Sequence, residues 1–299
     1  MYDVVILTDS RYENPKNKNW YINQVLEEDQ LLIDEIKKTG LSVCKKDWNS
    51  KEFNWSNSRI AIFRSTWDYF DRFDEFFLWK EKIKNKLYFV NSSKLIDWNI
   101  DKIYLKDLKL KGINIPKSIF IKKNKLTTVK ELFEKTNFKI AVLKPNISGA
   151  ARHTYKIKKI EASSYEDILK KLIITENMIF QEFIHDIEKN GEISLVLIAG
   201  KYTHAVRKKA RKGDFRVQDD HGGTVEKYNA LKEEVLFAEH CITLCPEKPV
   251  YARVDIIYDN KGRICLNELE LIEPELWFRN FPKAAMLLAQ EIKRLDTIY

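Results

Sequence analysis

The sequence predicts a mixed fold of class α/β (α+β), in which an open parallel sheet is followed by antiparallel segments. Two observations support this prediction. Over roughly the first 90 residues, short apolar runs alternate with helical segments, the order that is typical of a parallel sheet covered by helices. Near the C-terminus, the apolar runs Val250–Tyr258 and Arg263–Leu271 flank the turn-forming stretch Asp259–Gly262, which predicts a β-hairpin. With 299 residues, the chain is long enough for more than one domain.

The N-terminal segment, residues 1–93, is predicted to be a substrate-binding α/β domain. It opens with Asp3–Thr8, a short apolar run that is typical of a buried parallel strand. The helical period of Trp20–Thr39 ends at Gly40, which is a common helix stop. The remaining predicted elements are strands at Leu41–Cys44, Arg59–Phe63 and Leu87–Val90, and a helix at Phe73–Lys84.

The stretch Arg64–Phe70, with the sequence RSTWDYF, directly follows one of these strands. In open α/β sheets, ligands bind beyond the carboxyl ends of the strands. Arg64 is suited to a bidentate contact with a substrate carboxylate there. We therefore expect four substrate-binding residues in this stretch: Arg64, Trp67, Asp68 and Tyr69. The alternative is a purely structural role, with Arg64 bonded to Asp68 or Asp71 and the aromatic rings packed in the core.

The rest of the chain is predicted to form two further units, residues 94–184 and 185–299. Predicted helices lie at Ser93–Lys111, Thr127–Lys135, Ser164–Ile174, Leu231–Leu244 and Lys283–Leu295. Predicted strands lie at Lys117–Lys122, Lys139–Lys144, His153–Ile160, Met178–Ile184, Gly191–Ala199 and Lys201–Lys209. Lys144 ends its strand beside the small-residue loop Pro145–Ala150, where a lysine could hold a phosphate. That loop does not match the P-loop pattern, and the alternative for Lys144 is an ordinary surface lysine.

Three carboxylates interrupt the apolar pattern of the C-terminal hairpin. Glu268 and Glu270 are two residues apart, so they leave the same face of their strand, and Asp255 can join them across the hairpin. Crowded acids repel each other unless a cation neutralises them, and oxygen ligands of this kind suit Mg²⁺. The alternative is a solvated strand face, although Leu269 and Leu271 indicate that the opposite face is buried.

Composition restricts the classes of partner. The chain carries 52 Lys and Arg against 44 Asp and Glu, a net charge of +8 that suits anionic small molecules such as ATP and carboxylates. The lysines are spread thinly and form no arginine-rich tract with aromatics, so we expect no nucleic-acid partner. No apolar run is long enough to span a membrane, and we expect no membrane partner. Four cysteines without a CxxC pattern and an N-terminus without a basic signal region predict a reducing, cytoplasmic location.

A polar loop between Lys209 and Lys227 carries basic residues and a glycine pair. Loops of this length and composition are usually either mobile lids or disordered segments. The loop includes Arg211, Arg216, His221, Gly222 and Gly223.

From about residue 101 to residue 280, the ordered series of motifs resembles the ATP-grasp superfamily of carboxylate–amine ligases, in particular its glutathione-synthetase-like branch. The resemblance implies an ATP-grasp fold, with an N-terminal domain followed by two α+β subdomains that hold ATP between them. The implied ATP-binding residues are Lys102, Lys144, Gln181, Glu182, Phe183, Ile184 and Glu192. The implied metal ligands are Asp255, Glu268 and Glu270, for two Mg²⁺ ions, with Mn²⁺ as an alternative. The segment Gly213–Gly223 is similar to the family's GxxR…GG segment, so Arg216 is implied to stabilise phosphate or acyl phosphate, with Gly222 and Gly223 near the substrate.

Departures from the family pattern weaken the case for glutathione synthetase itself. Glu270 stands where many members have asparagine, and Ser194 stands where close relatives of that enzyme have arginine. The arginine of the strand before the loop is replaced by Lys208 or shifted to Arg207. RSTWDY together with HAVRK, GDFRVQ and ELELIEP is more similar to a subgroup that includes the ATP-grasp cyclisation enzyme of D-cycloserine biosynthesis.

The function that this resemblance implies is an ATP- and Mg²⁺-dependent ligase that joins a small carboxylate to an amine through an acyl phosphate. An amino acid or a short peptide-like compound is the expected substrate, and homodimers and homotetramers are frequent in the family. Two alternatives remain open at this point. One is an ATP-grasp kinase or an intramolecular cyclase, and the other is a non-catalytic nucleotide-binding protein.

Overall fold

A computed structural model describes residues 1–211, 213–214, 216–217 and 222–298. These residues form three β-sheets with helices packed against them. Within the described ranges, no helix combines the length and apolar character needed to cross a membrane.

The N-terminal sheet is parallel, as the sequence predicts. The elements are β1 (Tyr2–Thr8), α1 (Ser10–Glu13), α2 (Trp20–Lys38), β2 (Val43–Asp47), β3 (Ser58–Ser65), α3 (Phe73–Ile83) and β4 (Tyr88–Phe89). The strand order is β2-β1-β3-β4, and each neighbouring pair is parallel. Strand β2 extends three residues past its predicted end, because Lys45, Lys46 and Asp47 pair with β1. Pairing with a neighbour therefore outweighs the low strand propensity of these charged residues.

The second group of elements contains an antiparallel sheet with the order β5-β8-β6-β7. Its elements are α4 (Ser93–Asn99), α5 (Tyr104–Leu110), β5 (Ser118–Ile121), α6 (Val129–Thr136), β6 (Ile140–Pro145), β7 (Tyr155–Lys158), α7 (Glu166–Thr175) and β8 (Met178–Glu182). The single helix predicted for Ser93–Lys111 is wrong. The chain breaks between α4 and α5, where the Asp101 carboxylate accepts hydrogen bonds from the Ile103 amide and the Asn146 side chain, each at 2.8 Å. This break positions Lys102, which the sequence alone places inside a helix.

The third sheet is antiparallel and has the order β11-β10-β9-β12-β13. Its elements are α8 (Asp186–Lys189), β9 (Glu192–Ile198), β10 (Lys201–Lys209), β11 (Thr224–Tyr228), α9 (Lys232–Thr243), β12 (Tyr251–Tyr258), β13 (Ile264–Glu270) and α10 (Lys283–Asp296). The predicted hairpin is confirmed as β12 and β13. Strand β11 was not predicted because its TVEKY sequence is largely polar, as an edge strand can be.

Packing links segments that are far apart in the sequence. In one buried cluster, Leu32 and Ile36 of α2 meet Leu288 and Ile292 of α10, so the last helix covers the first sheet. In a second cluster, the buried residues of α5 pack with those of β9 and β12. Helix α5 therefore packs on the third sheet, although it belongs to the predicted segment 94–184. The boundaries at residues 93 and 184 stay a prediction.

Candidate active site

A cavity of about 500 Å³ lies between the second and third sheets and is bordered by α1, α2 and the segment after β3 of the N-terminal part. The second and third sheets contribute strand side chains to its walls, and most of the residues that the sequence singled out are among the lining residues. These are Trp67, Tyr69, Lys102, Lys144, Gln181, Glu182, Phe183, Ile184, Glu192, Lys208, Arg216, Asp255, Glu268 and Glu270. The fold thus brings together residues separated by as many as about 200 positions in the chain.

The acidic wall of the cavity comes from the β12–β13 hairpin. Asp255 pairs with Glu268 and Arg253 pairs with Glu270 in the ladder, so the three carboxylates lie on one face of the sheet. Val254 and Leu269 point to the other face, where they are buried in the core. This alternation confirms that the acids share a face because the strands bury the opposite one.

Basic side chains lie directly against these acids. Lys208 Nζ is 3.0 Å from Asp255 Oδ2 and also contacts the Glu192 carboxylate. The second contact follows from the register, since Lys208 of β10 pairs with Glu192 of β9. On the second strand of the hairpin, Glu268 is contacted by another base: Lys102 Nζ is 3.1 Å from Glu268 Oε1. Acids and bases therefore alternate through the centre of the site.

Arg253 is a site residue that the sequence reasoning missed. Its guanidinium donates two hydrogen bonds to Asp255, at 3.0 Å from Nε to Oδ1 and 2.9 Å from Nη2 to Oδ2, and it also contacts Glu270. The plane lies over the Trp277 ring, 5.1 Å from its centroid. The available signal was spacing: Arg253 is two residues before Asp255 and must share its strand face.

The interleaved charges shift the pKa values of the carboxyl groups in different directions. Burial opposes ionisation of Asp255, but Arg253 and Lys208 lower its pKa to about 2. Lys102 and Lys144 likewise outweigh burial and lower the pKa of Glu268. Burial, with the nearby charges of Glu268 and Asp255, raises the pKa of Glu270 to about 8 despite its contact with Arg253. Burial and the neighbouring charges therefore hold the pKa values of the three carboxyl groups apart.

The arrangement of these acids bears on the predicted metal site. In the described part of the chain, no group of three or more His, Cys, Asp or Glu side chains is placed to hold a metal ion. The carboxylates instead contact Arg253, Lys208 and Lys102. Their chemistry still fits magnesium, because the donors are carboxylate oxygens on one face of the hairpin. The assignment of Asp255, Glu268 and Glu270 as metal ligands stays a prediction.

The opposite wall comes from the second sheet. Lys144 is the second-last residue of β6. Burial lowers the pKa of its ammonium group, and the negative charge of Glu268 opposes this shift. The predicted adenine-binding stretch Gln181–Ile184 continues β8 along the same wall. Phe183 has the Lys156 ammonium over its ring, 4.1 Å from the centroid. These positions agree with a nucleotide site, and the role of each residue stays a prediction.

Two predicted substrate residues lie away from the cavity, and this corrects the expectation for them. Arg64 is 2% exposed, donates to the Pro274 carbonyl at 2.8 Å and lies over the Phe278 ring. Asp68 accepts from the Trp48 indole at 2.7 Å and from Arg72 at 2.8 Å. Arg64, within β3, therefore links the N-terminal sheet to the C-terminal segment, whereas Asp68, just after β3, holds residues of the N-terminal part together.

The polar loop gives a mixed result. Arg207 faces away from the cavity and lies over the Tyr228 ring at 4.3 Å, since neighbours in a strand point to opposite faces. Lys208, not Arg207, therefore reaches the acids. Arg216 lines the cavity and pairs with Asp214 at 2.7 Å, whereas the described glycines Gly222 and Gly223 are not on the cavity wall. The lid prediction includes Lys212, Phe215 and residues 218–221, which lie outside the described residues, so His221 does as well.

Comparison with known proteins gives relatives that extend over most of the chain. The cycloserine biosynthesis protein DcsG of Streptomyces lavendulae is 24% identical over 275 residues, which cover 87% of this chain and 91% of that protein. The crystal structure of D-cycloserine synthetase DcsG matches with a TM-score of 0.86 at 20% identity, covering 98% and 99% of the two chains. D-alanine–D-alanine ligase from Bacillus anthracis matches with a TM-score of 0.69 at 16% identity, covering 99% and 98%. At these identities the structural matches establish a common fold.

Family models match two parts of the chain. Residues 4–91 match the N-terminal domain of D-cycloserine synthetase DcsG. Residues 101–270, more than half of the chain, match the RimK-like ATP-grasp domain, and this stretch contains the acidic wall and the opposite wall of the cavity. The chain therefore belongs to the RimK-like ATP-grasp family.

Proposed function

We propose that the protein is an ATP-grasp ligase that uses ATP and Mg²⁺ to join a small-molecule carboxylate to an amine. One observation carries the proposal: a single cavity holds the acids Asp255, Glu268 and Glu270 interleaved with Lys102, Lys208 and Arg253. Phosphoryl transfer needs neutralisation of charge and alignment of the reacting groups more than covalent participation by the protein. This charge arrangement supplies both.

The residues of the cavity divide into two roles in this reaction. Bound ATP supplies the phosphoryl group, and bound Mg²⁺ neutralises the phosphate oxygens. Asp255, Glu268 and Glu270 offer the oxygen donors for the metal. Lys102, Lys144, Lys208 and Arg253 offer positive charge to the phosphates and to the negative charge that develops during transfer.

The reaction has two steps. A substrate carboxylate oxygen attacks the terminal phosphorus of ATP, the bond to the ADP oxygen breaks, and an acyl phosphate forms. An amine nitrogen then attacks the acyl carbon, phosphate leaves, and the nitrogen loses a proton. Water would compete with the amine at this step, so exclusion of water from the cavity during the reaction would favour ligation over hydrolysis.

An intramolecular cyclase is the second candidate. The match to the cycloserine biosynthesis protein over most of both chains favours it, because the acid and the nucleophile would then belong to one molecule. Both candidates use the same first step and the same residues.

The test is to measure ADP and free phosphate after adding Mg·ATP and pools of amino acids and small carboxylates. Wild type is compared with Glu268→Gln and with a matched surface control, Glu291→Gln on α10. A ligase releases both products only with an acid–amine pair, and Glu268→Gln should lower the rate by roughly 10²–10³, the usual effect of losing one charge-stabilising group.

Other outcomes separate the alternatives. Release of ADP and free phosphate with one compound alone would indicate a cyclase. ADP release with the phosphate retained on the product would indicate a phosphotransferase. Failure of the wild-type protein to bind ATP would contradict the proposal.

A further inference from the structure

Glu273 lies three residues after the end of β13, at the junction between the hairpin and the N-terminal sheet. Its backbone is held by contacts across that junction. The Trp67 indole donates to the Glu273 carbonyl at 2.9 Å, and Arg64 donates to the Pro274 carbonyl at 2.8 Å. The fold of this segment therefore depends on main-chain contacts, and the Glu273 carboxyl group is not needed to maintain it.

The surroundings of that carboxyl group differ from those of the other acids in the cavity. Among the described residues, every other carboxylate on the cavity wall has a lysine or arginine within ion-pair distance. These pairs are Asp71–Arg152, Glu182–Lys117, Glu192–Lys208, Asp255–Arg253, Glu268–Lys102, Glu270–Arg253 and Glu275–Arg279. In the same part of the chain, no lysine or arginine lies within ion-pair distance of Glu273, and the nearby Tyr69 hydroxyl lowers the pKa of its carboxyl group.

A carboxylate without an ion-pair partner is unfavourable where it is removed from water. Burial raises the pKa of Glu273 to about 7, an effect that Tyr69 and the charge of Lys102 only partly offset. A positively charged group entering the cavity beside Glu273 would compensate its charge. The Tyr69 side chain is 5% exposed and lines the same cavity, so it can orient the carboxyl group there.

We propose that the Glu273 carboxylate, oriented by Tyr69, binds the positively charged amino group of the substrate. Glu273 is then a substrate-binding residue that selects compounds carrying an amine. The inference rests on the proposed function, since it concerns the amine that the ligase or cyclase uses. An ammonium nitrogen has no free electron pair, so the bound group gives one proton to the Glu273 carboxylate before its nitrogen attacks the acyl carbon.

The charge of the rest of the cavity explains why such a residue is required. Amino groups with ordinary pKa values are largely protonated near neutral pH. Lys102, Lys144, Lys208 and Arg253 suit phosphates and would repel an ammonium group. Glu273 offers an ammonium group the one carboxylate on the described part of the cavity wall that has no ion-pair partner.

The test uses Glu273→Gln, which removes the charge and keeps an oxygen that can accept from Tyr69. Its matched control is Glu275→Gln on the same segment, where Arg279 already neutralises the acid at 2.5 Å. ADP release from Mg·ATP is measured with paired compounds that differ only in the amino group: D- and L-alanine against D- and L-lactate, and D- and L-serine against D- and L-glycerate.

We expect wild type to prefer the amino member of a pair. Glu273→Gln should raise KM for that compound by about 10- to 100-fold, the usual effect of losing a hydrogen bond to a charged group, with KM for ATP unchanged. Preference for the amino compound should fall in Glu273→Gln and persist in Glu275→Gln.

Equal effects of Glu273→Gln on amino and hydroxy compounds would overturn the inference and leave the proposed function intact. A changed dependence on Mg²⁺ or a raised KM for ATP would overturn it as well, because Glu273 would then serve the nucleotide. Absence of ADP release by wild type with every compound would contradict the proposed function and this site with it.

Discussion

The Arg253 guanidinium lies between two carboxylates and holds both in place. It makes two hydrogen bonds to Asp255 and contacts Glu270, while Trp277 covers its plane. A planar group with several fixed donors can orient two acids at once, which a lysine ammonium cannot do as well. At the scale of single residues, the site therefore depends on geometry as well as on the number of charges.

The first prediction concerns this geometry. Arg253→Lys should lower kcat for ADP release by roughly 10²–10³, because the positive charge is kept but the paired hydrogen bonds are lost. The measurement is steady-state ADP release at saturating Mg·ATP, with the acid and amine that the experiment with compound pools identifies.

Arg263→Lys is the matched control for that experiment. Arg263 belongs to the turn of the same hairpin, its side chain is 62% exposed, and it pairs with Asp259 outside the cavity. If the Arg253→Lys enzyme were as active as the Arg263→Lys enzyme, the paired hydrogen bonds from the Arg253 guanidinium to Asp255 would have no role in the reaction.

The start of β9 illustrates how one backbone position arranges a whole element. Gly191 has φ of +79°, and a Cβ atom there would lie 2.1 Å from the Lys208 carbonyl oxygen. Only glycine permits this approach, which lets β9 begin at Glu192 in register with Lys208. Two residues of the cavity are thus aligned by the absence of a side chain on a third.

The second prediction tests that close approach. Gly191→Ala should destabilise the fold more than Gly262→Ala, which has a similar φ of +76° in the hairpin turn but no atom within 4 Å of its Cβ position. We expect Gly262→Ala to cost roughly 1 kcal/mol for the left-handed backbone alone. Chemical denaturation measures the free energy of unfolding of both variants. Equal losses of stability would mean that β9 and β10 can move apart at Gly191 without a cost in free energy.

The two ends of the chain are joined through buried charge at the level of the whole molecule. Glu28 of α2 accepts from the Phe278 amide at 2.9 Å and lies 3.4 Å from Arg279 and 3.7 Å from Arg64. Burial raises the pKa of Glu28 to about 7, although Arg64 and Arg279 oppose the shift. The connection between the first sheet and the C-terminal segment is therefore sensitive to pH.

The third prediction follows from that raised pKa. The ordinary pKa of Glu28 is 4.5, so its contribution to stability is fully present below about pH 4.5 and is lost as pH rises to about 7. Glu28→Gln cannot ionise and still accepts from Phe278, so it should lack this part of the pH dependence. The expected difference in slope between wild type and variant is at most about 1.4 kcal/mol per pH unit.

Urea denaturation of wild type, Glu28→Gln and the surface control Glu291→Gln between pH 4.5 and pH 8 measures these slopes. Glu270 and Glu273 also have raised pKa values, but they are present in all three proteins and cancel in the comparison. Parallel curves for wild type and Glu28→Gln would contradict the prediction.

Local pattern in the sequence was sufficient for most of the elements and for the acidic face. Apolar alternation and the Asp259–Gly262 turn predicted the hairpin, and strand period placed Asp255, Glu268 and Glu270 together because side chains alternate between faces. The resemblance to the ATP-grasp superfamily implied that the separated lysines and acids share a nucleotide site, and that assignment stays a prediction.

The tertiary structure alone decided which side chains reach that cavity. Arg64 points into the core, where it donates to the carbonyl of Pro274. The two residues are 210 positions apart in the sequence, and no local pattern encodes such a pair. The break before α5 depends on Asn146, and the isolation of the Glu273 carboxylate depends on where seven other ion pairs form. Periodicity fixes the face on which a residue lies, whereas burial and long-range contacts determine what that face meets.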